Sequence, residues 1–242
     1  MLLGFHHRSS QPTFDELARL GGDARRGGLL SGKAGLVDLH LGDGPRKLDL
    51  LLRVLAETEL PASQFLPTHI NRNGELFEAG VAYARSGGFV DLTTSTVPQL
   101  LAQGEVKASS GLARLLRAGV PAERITFTSD GQGSLPDFDA AGRLVGLSVG
   151  RVTSLHEEFR DAVKVDGVGF PEALKVLTSS PADLLKLPHK GRLAPGLDAD
   201  LLLLRPETLA LDTVIARGNL LMRGGRMIVK PTFACSPPRT PA

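Results

Sequence analysis

The chain has 242 residues, of which 42% are hydrophobic and 22% are charged, a composition typical of a soluble globular protein. Its 28 basic and 26 acidic residues give a formal net charge of +2, which argues against nucleic acid or an anionic membrane as a partner. The single cysteine, Cys235, excludes an internal disulfide. The apolar runs are too short for a signal peptide or a transmembrane helix, so we expect a cytoplasmic protein.

The first half of the sequence alternates short apolar runs with helical patterns. Residues 35–39 read as a buried strand that ends at His40, and residues 45–60 read as a helix with one apolar stripe. The stripe consists of Leu48, Leu51, Leu52 and Leu55.

The same unit then recurs. Further strands are predicted at residues 65–66, 89–92 and 125–128, and further helices at residues 75–85 and 111–118. Strands that alternate with helices of this length favour parallel βαβ units, hence an α/β fold. Four such units correspond to half of an eight-stranded (β/α)8 barrel.

Polar residues follow each predicted strand. They are His40, His69, the run 93–95 and Asp130. In a βα barrel the loops after the strands form one rim, and that rim carries the active site. The pattern therefore predicts that these residues converge.

The sequence changes character at Lys190. Before it, a helix is predicted at residues 153–163 and two short helical stretches between residues 171 and 187. After it come short β candidates separated by Gly and Pro, which indicate a small β layer belonging to a β-sandwich. The predicted organisation is a partial barrel at residues 1–189, a small β domain at 190–234 and a disordered proline-rich tail at 235–242.

One glycine-rich motif resembles a phosphate-binding loop. Residues 27–33, GGLLSGK, have the spacing of that loop, but Ala34 replaces the magnesium-binding hydroxyl. A strand follows the motif, whereas a phosphate site needs a helix N-terminus behind it. We interpret the segment as a turn.

The residues at the predicted rim allow more than one chemistry. His40 and His69 lie at equivalent positions of consecutive units, where two neutral imidazoles can share one divalent metal ion, although hydrogen-bonded structural histidines are the commoner case. Asp130 can serve as a metal ligand, a general base or a helix N-cap, and an Asp before a glycine turn is most often a cap.

Several strings resemble the bacterial isoaspartyl (β-aspartyl) dipeptidases, which are metal-dependent amidohydrolases. LPTHINRN at residues 66–73 and TSDGQGSLP at 128–136 are specific to that family, and GLDADLLLL at 196–204 is a broader amidohydrolase feature. DLHLGD at 38–43 and HHRS at 6–9 are similar as well.

The resemblance implies zinc-dependent hydrolysis of β-aspartyl dipeptides and a role for each matching residue. His40 and His69 would bind one ion of a two-zinc site. Asp130 would bind the other ion and act as the acid/base. Arg8, Arg72 and Ser134 would hold the charged ends of a small dipeptide substrate, since guanidinium groups bind carboxylates in a bidentate manner.

Some family features are missing from this chain. The resemblance places the family's carbamylated lysine at Met1, and the His-x-His pair, the oxyanion-stabilising tyrosine and one glutamate before it. Tyr83, the only tyrosine, lies within a predicted helix and cannot take that role. We therefore expect the chain to correspond to the C-terminal part of the enzyme, with an incomplete catalytic site.

Three interpretations of function remain open at this stage. The chain is a β-aspartyl dipeptidase, a non-catalytic remnant that acts as an interaction module, or an amidohydrolase for another amide, such as a cyclic amide or an N-acyl amino acid. Half a barrel has open strand edges and an uncovered apolar face. We therefore expect self-association or a homo-oligomer.

Overall fold

The structure is a computed structural model that describes residues 2–3, 10–139 and 143–229; the side chains of residues 2, 3 and 136–138 lie outside that description. The chain divides into two compact units, Met1–Leu187 and Pro188–Ala242. Cys235 and the predicted tail lie outside the described residues. Among the described residues, no helix is long and apolar enough to cross a membrane.

The first unit contains two groups of parallel strands. Strands β1 (Leu2–Leu3), β2 (Val37–Leu41) and β3 (Phe65–Thr68) form one parallel sheet. Strands β4 (Val90–Thr93) and β5 (Ile125–Thr128) form a second parallel pair. All four residues of β3 and of β4 are buried, as expected of parallel strands that are covered on both faces. The α/β pattern of parallel βαβ units is thus confirmed.

Helices connect these strands. They are α1 (Phe14–Ser31), α2 (Asp49–Glu57), α3 (Gly74–Arg85), α4 (Pro98–Ala102) and α5 (Ala108–Arg117). The predicted stripe on α2 is partly wrong, because Leu48, Leu51 and Val54 are buried whereas Leu52 is 44% exposed. The buried set follows i, i+3, i+6 and forms a narrower face than the sequence suggested.

Helix α1 extends into the glycine-rich segment that the sequence analysis interpreted as a turn. Thr13 and Glu16 form a reciprocal capping box that fixes its start, and Gly32 ends it in the left-handed conformation. Most of the segment 27–33 is therefore the last turn of a helix, not a loop. A Cβ on Gly28 would lie 2.6 Å from Cα of Gly35, so this glycine allows the helix to pack directly against the following chain.

A hairpin that the sequence analysis missed follows β5. Strands β6 (Ser134–Phe138) and β7 (Leu144–Val149) pair antiparallel. Helices α6 (Ser154–Lys164), α7 (Phe170–Lys175) and α8 (Ser179–Leu184) complete the unit. The helical stretches after residue 150 match the predicted pattern.

The second unit is built on a small antiparallel sheet. Its strands β8 (Leu201–Leu204), β9 (Leu211–Ala216), β10 (Asn219–Arg223) and β11 (Arg226–Met227) lie in the order β11-β10-β9-β8. The aspartates of the GLDADLLLL string brace its start: Asp198 pairs with Lys190 at 2.8 Å, and Asp200 accepts a 2.7 Å hydrogen bond from the Arg217 backbone N–H.

Candidate active site

The two histidines predicted at the strand ends lie together. Strand β2 pairs with β3 so that His40 stands opposite Thr68, and His69 is the next residue. Nδ1 of His40 lies 3.0 Å from Nε2 of His69, and the two rings meet edge to face with their centroids 4.9 Å apart. Parallel pairing thus brings the ends of two consecutive βα units into direct contact.

His69 is held in one orientation by its surroundings. It adopts the left-handed conformation, with φ of 64°, and only 2% of it is exposed. Its Nδ1 shares a hydrogen bond with Oγ1 of Thr93. Burial, with smaller contributions from the charges of Arg72 and His40, lowers the pKa of His69 to about 2, so the ring stays neutral at physiological pH.

The pKa of His40 shifts in the opposite direction. Its Nε2 lies 3.4 Å from Oδ2 of Asp38, and 41% of its side chain is exposed. The hydrogen bond to Asp38 raises the pKa of His40, burial opposes this effect, and the charges of Asp38 and Asp130 add to the rise. The pair therefore combines one imidazole whose pKa is raised with one whose pKa is strongly lowered.

Asp91 is a buried acid that the sequence analysis did not single out. It lies in β4, is fully buried, and accepts hydrogen bonds from Thr68 at 2.5 Å and from Thr126 and Thr128 at 2.7 Å each. Burial raises the pKa of its carboxyl to about 7, although the three hydroxyls act to lower it. The available signal was a carboxylate inside an apolar strand, with threonines at the ends of the neighbouring strands.

Asn71 was also missed. It is fully buried, and its side-chain amide makes two hydrogen bonds to the backbone of Thr93, one to N–H at 2.9 Å and one to the carbonyl at 3.0 Å. It donates a further bond of 2.9 Å to the carbonyl of Val106. Asn71 therefore fixes the end of β4, and with it the hydroxyl that contacts His69.

Asp130 follows β5 in a tight turn. It has a φ of 47°, its carbonyl accepts a 2.9 Å hydrogen bond from Gly133 N–H, and a hairpin follows, so the helix N-cap interpretation is wrong. A Cβ on Gly150 would lie 2.5 Å from the Asp130 carbonyl oxygen, and one on Gly133 would lie 2.8 Å from Oδ1. These two glycines allow the chain to wrap closely around Asp130.

The predicted substrate-binding residues lie on separate segments of the chain. Arg72 ends a short 3₁₀ segment, Ile70–Arg72, directly after His69, and its charge acts on both His69 and Glu105. Ser134 begins β6, pairs with Val149 and is exposed. Arg8, like His6 and His7, lies outside the described residues.

Tyr83 is buried and donates a 2.8 Å hydrogen bond to the Ala62 carbonyl, which agrees with a structural role.

The three predicted metal ligands lie at or near the ends of different strands. His40 and His69 form a pair with nitrogens 3.0 Å apart, and the charge of Asp130, which follows β5, helps to raise the pKa of His40. Within residues 10–139 and 143–229, no group of three or more His, Cys, Asp or Glu side chains is close enough to hold a metal ion.

Parallel βα units with a polar cluster at the strand ends define an α/β scaffold of the TIM-barrel type. Comparison with known proteins identifies the protein family. The sequence pattern of the Amidohydrolase family matches residues 71–227, and the chain belongs to that family.

Within it, the chain is similar to beta-aspartyl dipeptidase from the thermophilic, keratin-degrading Fervidobacterium islandicum AW-1. The structure of that enzyme in complex with beta-Asp-Leu dipeptide is 37% identical, with a TM-score of 0.84 over 95% of this chain and 59% of that chain. A second structure of the enzyme is 34% identical, with a TM-score of 0.80 over 95% and 57% of the two chains. This chain thus spans less than two thirds of the enzyme.

A shorter match exists to an allantoinase from Salmonella newport (strain SL254). It is 42% identical over 50 residues, which is 21% of this chain and 11% of that enzyme.

Proposed function

We propose that this chain takes part in the metal-dependent hydrolysis of β-aspartyl dipeptides. The observation that carries the proposal is the His40–His69 pair, with nitrogens 3.0 Å apart, in a chain 37% identical over 95% of its length to a beta-aspartyl dipeptidase. The finer architecture, the C-terminal half of a barrel with a small β layer, belongs to the same proposal. The parallel strands β1 to β5 and the second unit's sheet support it.

The chemistry of the histidine pair fits a divalent ion such as zinc. Two imidazole nitrogens that bind one tetrahedral zinc at about 2.05 Å stand about 3.3 Å apart, close to the 3.0 Å between His40 and His69. A bound zinc ion polarises a carbonyl and lowers the pKa of water. Catalytic zinc sites usually have three protein ligands, so the pair would need a further ligand, and Asp130 is proposed as a ligand of the second ion.

The remaining residues have proposed roles in proton transfer and substrate binding. Asp130 would accept a proton from the attacking water and deliver it to the departing amine. Arg72, three residues after His69, would bind a substrate carboxylate through its guanidinium group. Arg8 and Ser134 would hold the other polar ends of the dipeptide.

Hydrolysis of β-Asp-Leu by the purified chain, measured with added zinc, tests the proposal. We expect hydrolysis that falls to background in Asp130→Asn and persists in Asp49→Asn, where the acid is exposed on α2. Hydrolysis by neither the chain nor any of its variants would refute activity of the isolated chain and favour the non-catalytic interaction module.

A second candidate, hydrolysis of a cyclic amide, is favoured by the 50-residue match to an allantoinase. That match covers 21% of this chain, against 95% for the dipeptidase structure, so the dipeptide is the preferred substrate. Allantoin offered to the same preparation distinguishes the two, because a site with Arg72 for a carboxylate should discriminate against an uncharged ring.

A further inference from the structure

The two strand groups of the first unit are not joined by a backbone ladder. In the described part of the chain, β3 is the last strand of the sheet β1-β2-β3, and β4 pairs with β5 alone. His69 follows β3, whereas Thr93, its hydrogen-bond partner, ends β4, and Asp130 follows β5. The site therefore spans a break in the sheet, and its geometry needs another connection across that break.

Asp91 supplies side-chain hydrogen bonds across the break. Its Oδ2 accepts bonds from Thr68 on β3 and Thr128 on β5, and its Oδ1 accepts one from Thr126. Thr68 directly precedes His69, and Thr128 lies two residues before Asp130. One carboxylate oxygen thus connects the two strand ends that lead into the site.

The amide of Asn71 makes a second connection beside it. Its two bonds to the Thr93 backbone tie the segment after β3 to the end of β4 without involving the Asp91 carboxylate. Both linking groups are fully buried, so they are bonded to protein and shielded from competing water.

Burial of an acid is costly, and an apolar residue would fill a buried strand at a lower cost in free energy. The three hydroxyl donors offset that cost only when all three strands are in the register seen here. An apolar side chain has no such directional requirement. A carboxylate in this position therefore favours a particular alignment of β3, β4 and β5.

We infer that Asp91 is a positioning residue that fixes His69 relative to Thr93 and Asp130 by joining the ends of β3 and β5. The catalytic importance of this positioning rests on the proposed function, whereas the hydrogen bonds of Asp91 do not depend on it. Asp91 acts through Thr68 and Thr128, and it touches neither histidine in the contacts described above.

The test compares Asp91→Leu with Thr126→Val. Leucine has a similar size but no acceptor oxygen, so it removes the bonds to Thr68 and Thr128, whereas an asparagine oxygen at the Oδ2 position could keep both. Thr126 bonds the same carboxylate but leads to no site residue, which makes Thr126→Val the matched control. The probe is the set of histidine ring nitrogen resonances in the metal-free chain, which report the tautomer and hydrogen bonding of His69.

We expect Asp91→Leu to shift the His69 ring resonances and Thr126→Val to leave them nearly unchanged. If Asp91→Leu does not fold, Thr68→Val removes the β3 link alone and should shift His69, while Thr68→Ser should restore the wild-type resonances. Folded variants at Asp91 and Thr68 with unchanged His69 resonances would overturn the inference.

Titration with Co²⁺, followed by its visible absorption, adds a readout of metal binding. We expect Asp91→Leu to weaken Co²⁺ binding at least about tenfold, as the loss of a residue that orients a metal ligand does in other sites. If the wild-type chain binds no Co²⁺ and hydrolyses no β-Asp-Leu, the proposed function fails, and the histidine resonances still decide the role of Asp91.

Discussion

Nδ1 of His40 lies 3.0 Å from Nε2 of His69, although 29 positions separate the two residues in sequence. Parallel pairing of β2 with β3 creates this contact, and the burial of His69 keeps one partner neutral. The pair is the feature on which a metal site in this chain depends.

Replacement of His69 should abolish metal binding. The change His69→Asn removes the Nε2 that faces His40, so we expect Co²⁺ binding and β-Asp-Leu hydrolysis to fall to background, as judged by absorption titration and product assay. His156→Asn is the control, because His156 lies on α6 beside Phe159. Co²⁺ bound by His69→Asn with wild-type affinity would show that the ion lies elsewhere.

Asp91 should make stability depend on pH. Burial raises the pKa of its carboxyl from 3.8 to about 7, so the folded chain holds this proton more tightly than the unfolded chain does. The stabilising contribution of Asp91 is therefore fully present below about pH 4 and is lost as the pH rises through about 7. At 1.36 kcal/mol per pKa unit, the upper limit of the change is about 4 kcal/mol.

Urea unfolding of the wild type and of Asp91→Asn between pH 4 and pH 8 measures this effect. Because asparagine does not titrate, the stability difference between the two proteins should shift in favour of the variant as the pH rises. A difference that stays constant over the whole range would argue against a buried carboxyl that titrates near neutrality.

Loss of the Asn71 side chain should be strongly destabilising. Asn71→Ala leaves the buried Thr93 backbone N–H and the part-buried Val106 carbonyl without their bonds to Asn71. An unsatisfied buried group costs about 1–3 kcal/mol, so we expect a loss of about 3 kcal/mol in the free energy of unfolding. Asn219→Ala, at an exposed position with one weak 3.3 Å bond, should change stability by less than about 0.5 kcal/mol.

A methyl group at Gly150 should displace Asp130. The Cβ of Gly150→Ala would lie 2.5 Å from the Asp130 carbonyl oxygen, so this turn must shift, and we expect hydrolysis to fall while the far-ultraviolet circular dichroism is retained. Gly74→Ala, in open space at the start of α3, should leave hydrolysis unchanged. Equal activity in both variants would show that the turn carrying Asp130 does not need its present position.

The chain should associate with itself. Val145, Leu147 and Val149 lie at alternate positions of β7 and are 62%, 64% and 52% exposed, and exposed apolar surface of this kind favours association. We expect sedimentation velocity to show species larger than a monomer that grow with concentration, and Leu147→Lys to reduce them. A monomer at all concentrations would contradict the expectation.

The sequence predicted where the candidate site residues lie along the strands better than it predicted the contacts that hold them. The positions of His40, His69 and Asp130 at or near the ends of β2, β3 and β5 were predictable, because apolar runs followed by polar residues mark the carboxyl ends of parallel strands. Asp91 was not recognised, because its role depends on three threonines from two other strands. The N-cap prediction for Asp130 was wrong because local turn chemistry cannot tell whether a helix or a hairpin follows.

Local patterns thus determined the alternation of strands and helices, the capped start of α1, and the polar positions after each strand, since these depend on neighbours a few residues apart. Only the tertiary structure decided that His40 meets His69, and that Asp91 and Asn71 bridge β3 and β4. These contacts join residues 22 to 37 positions apart. Their geometry follows from strand pairing and burial, which no local pattern encodes.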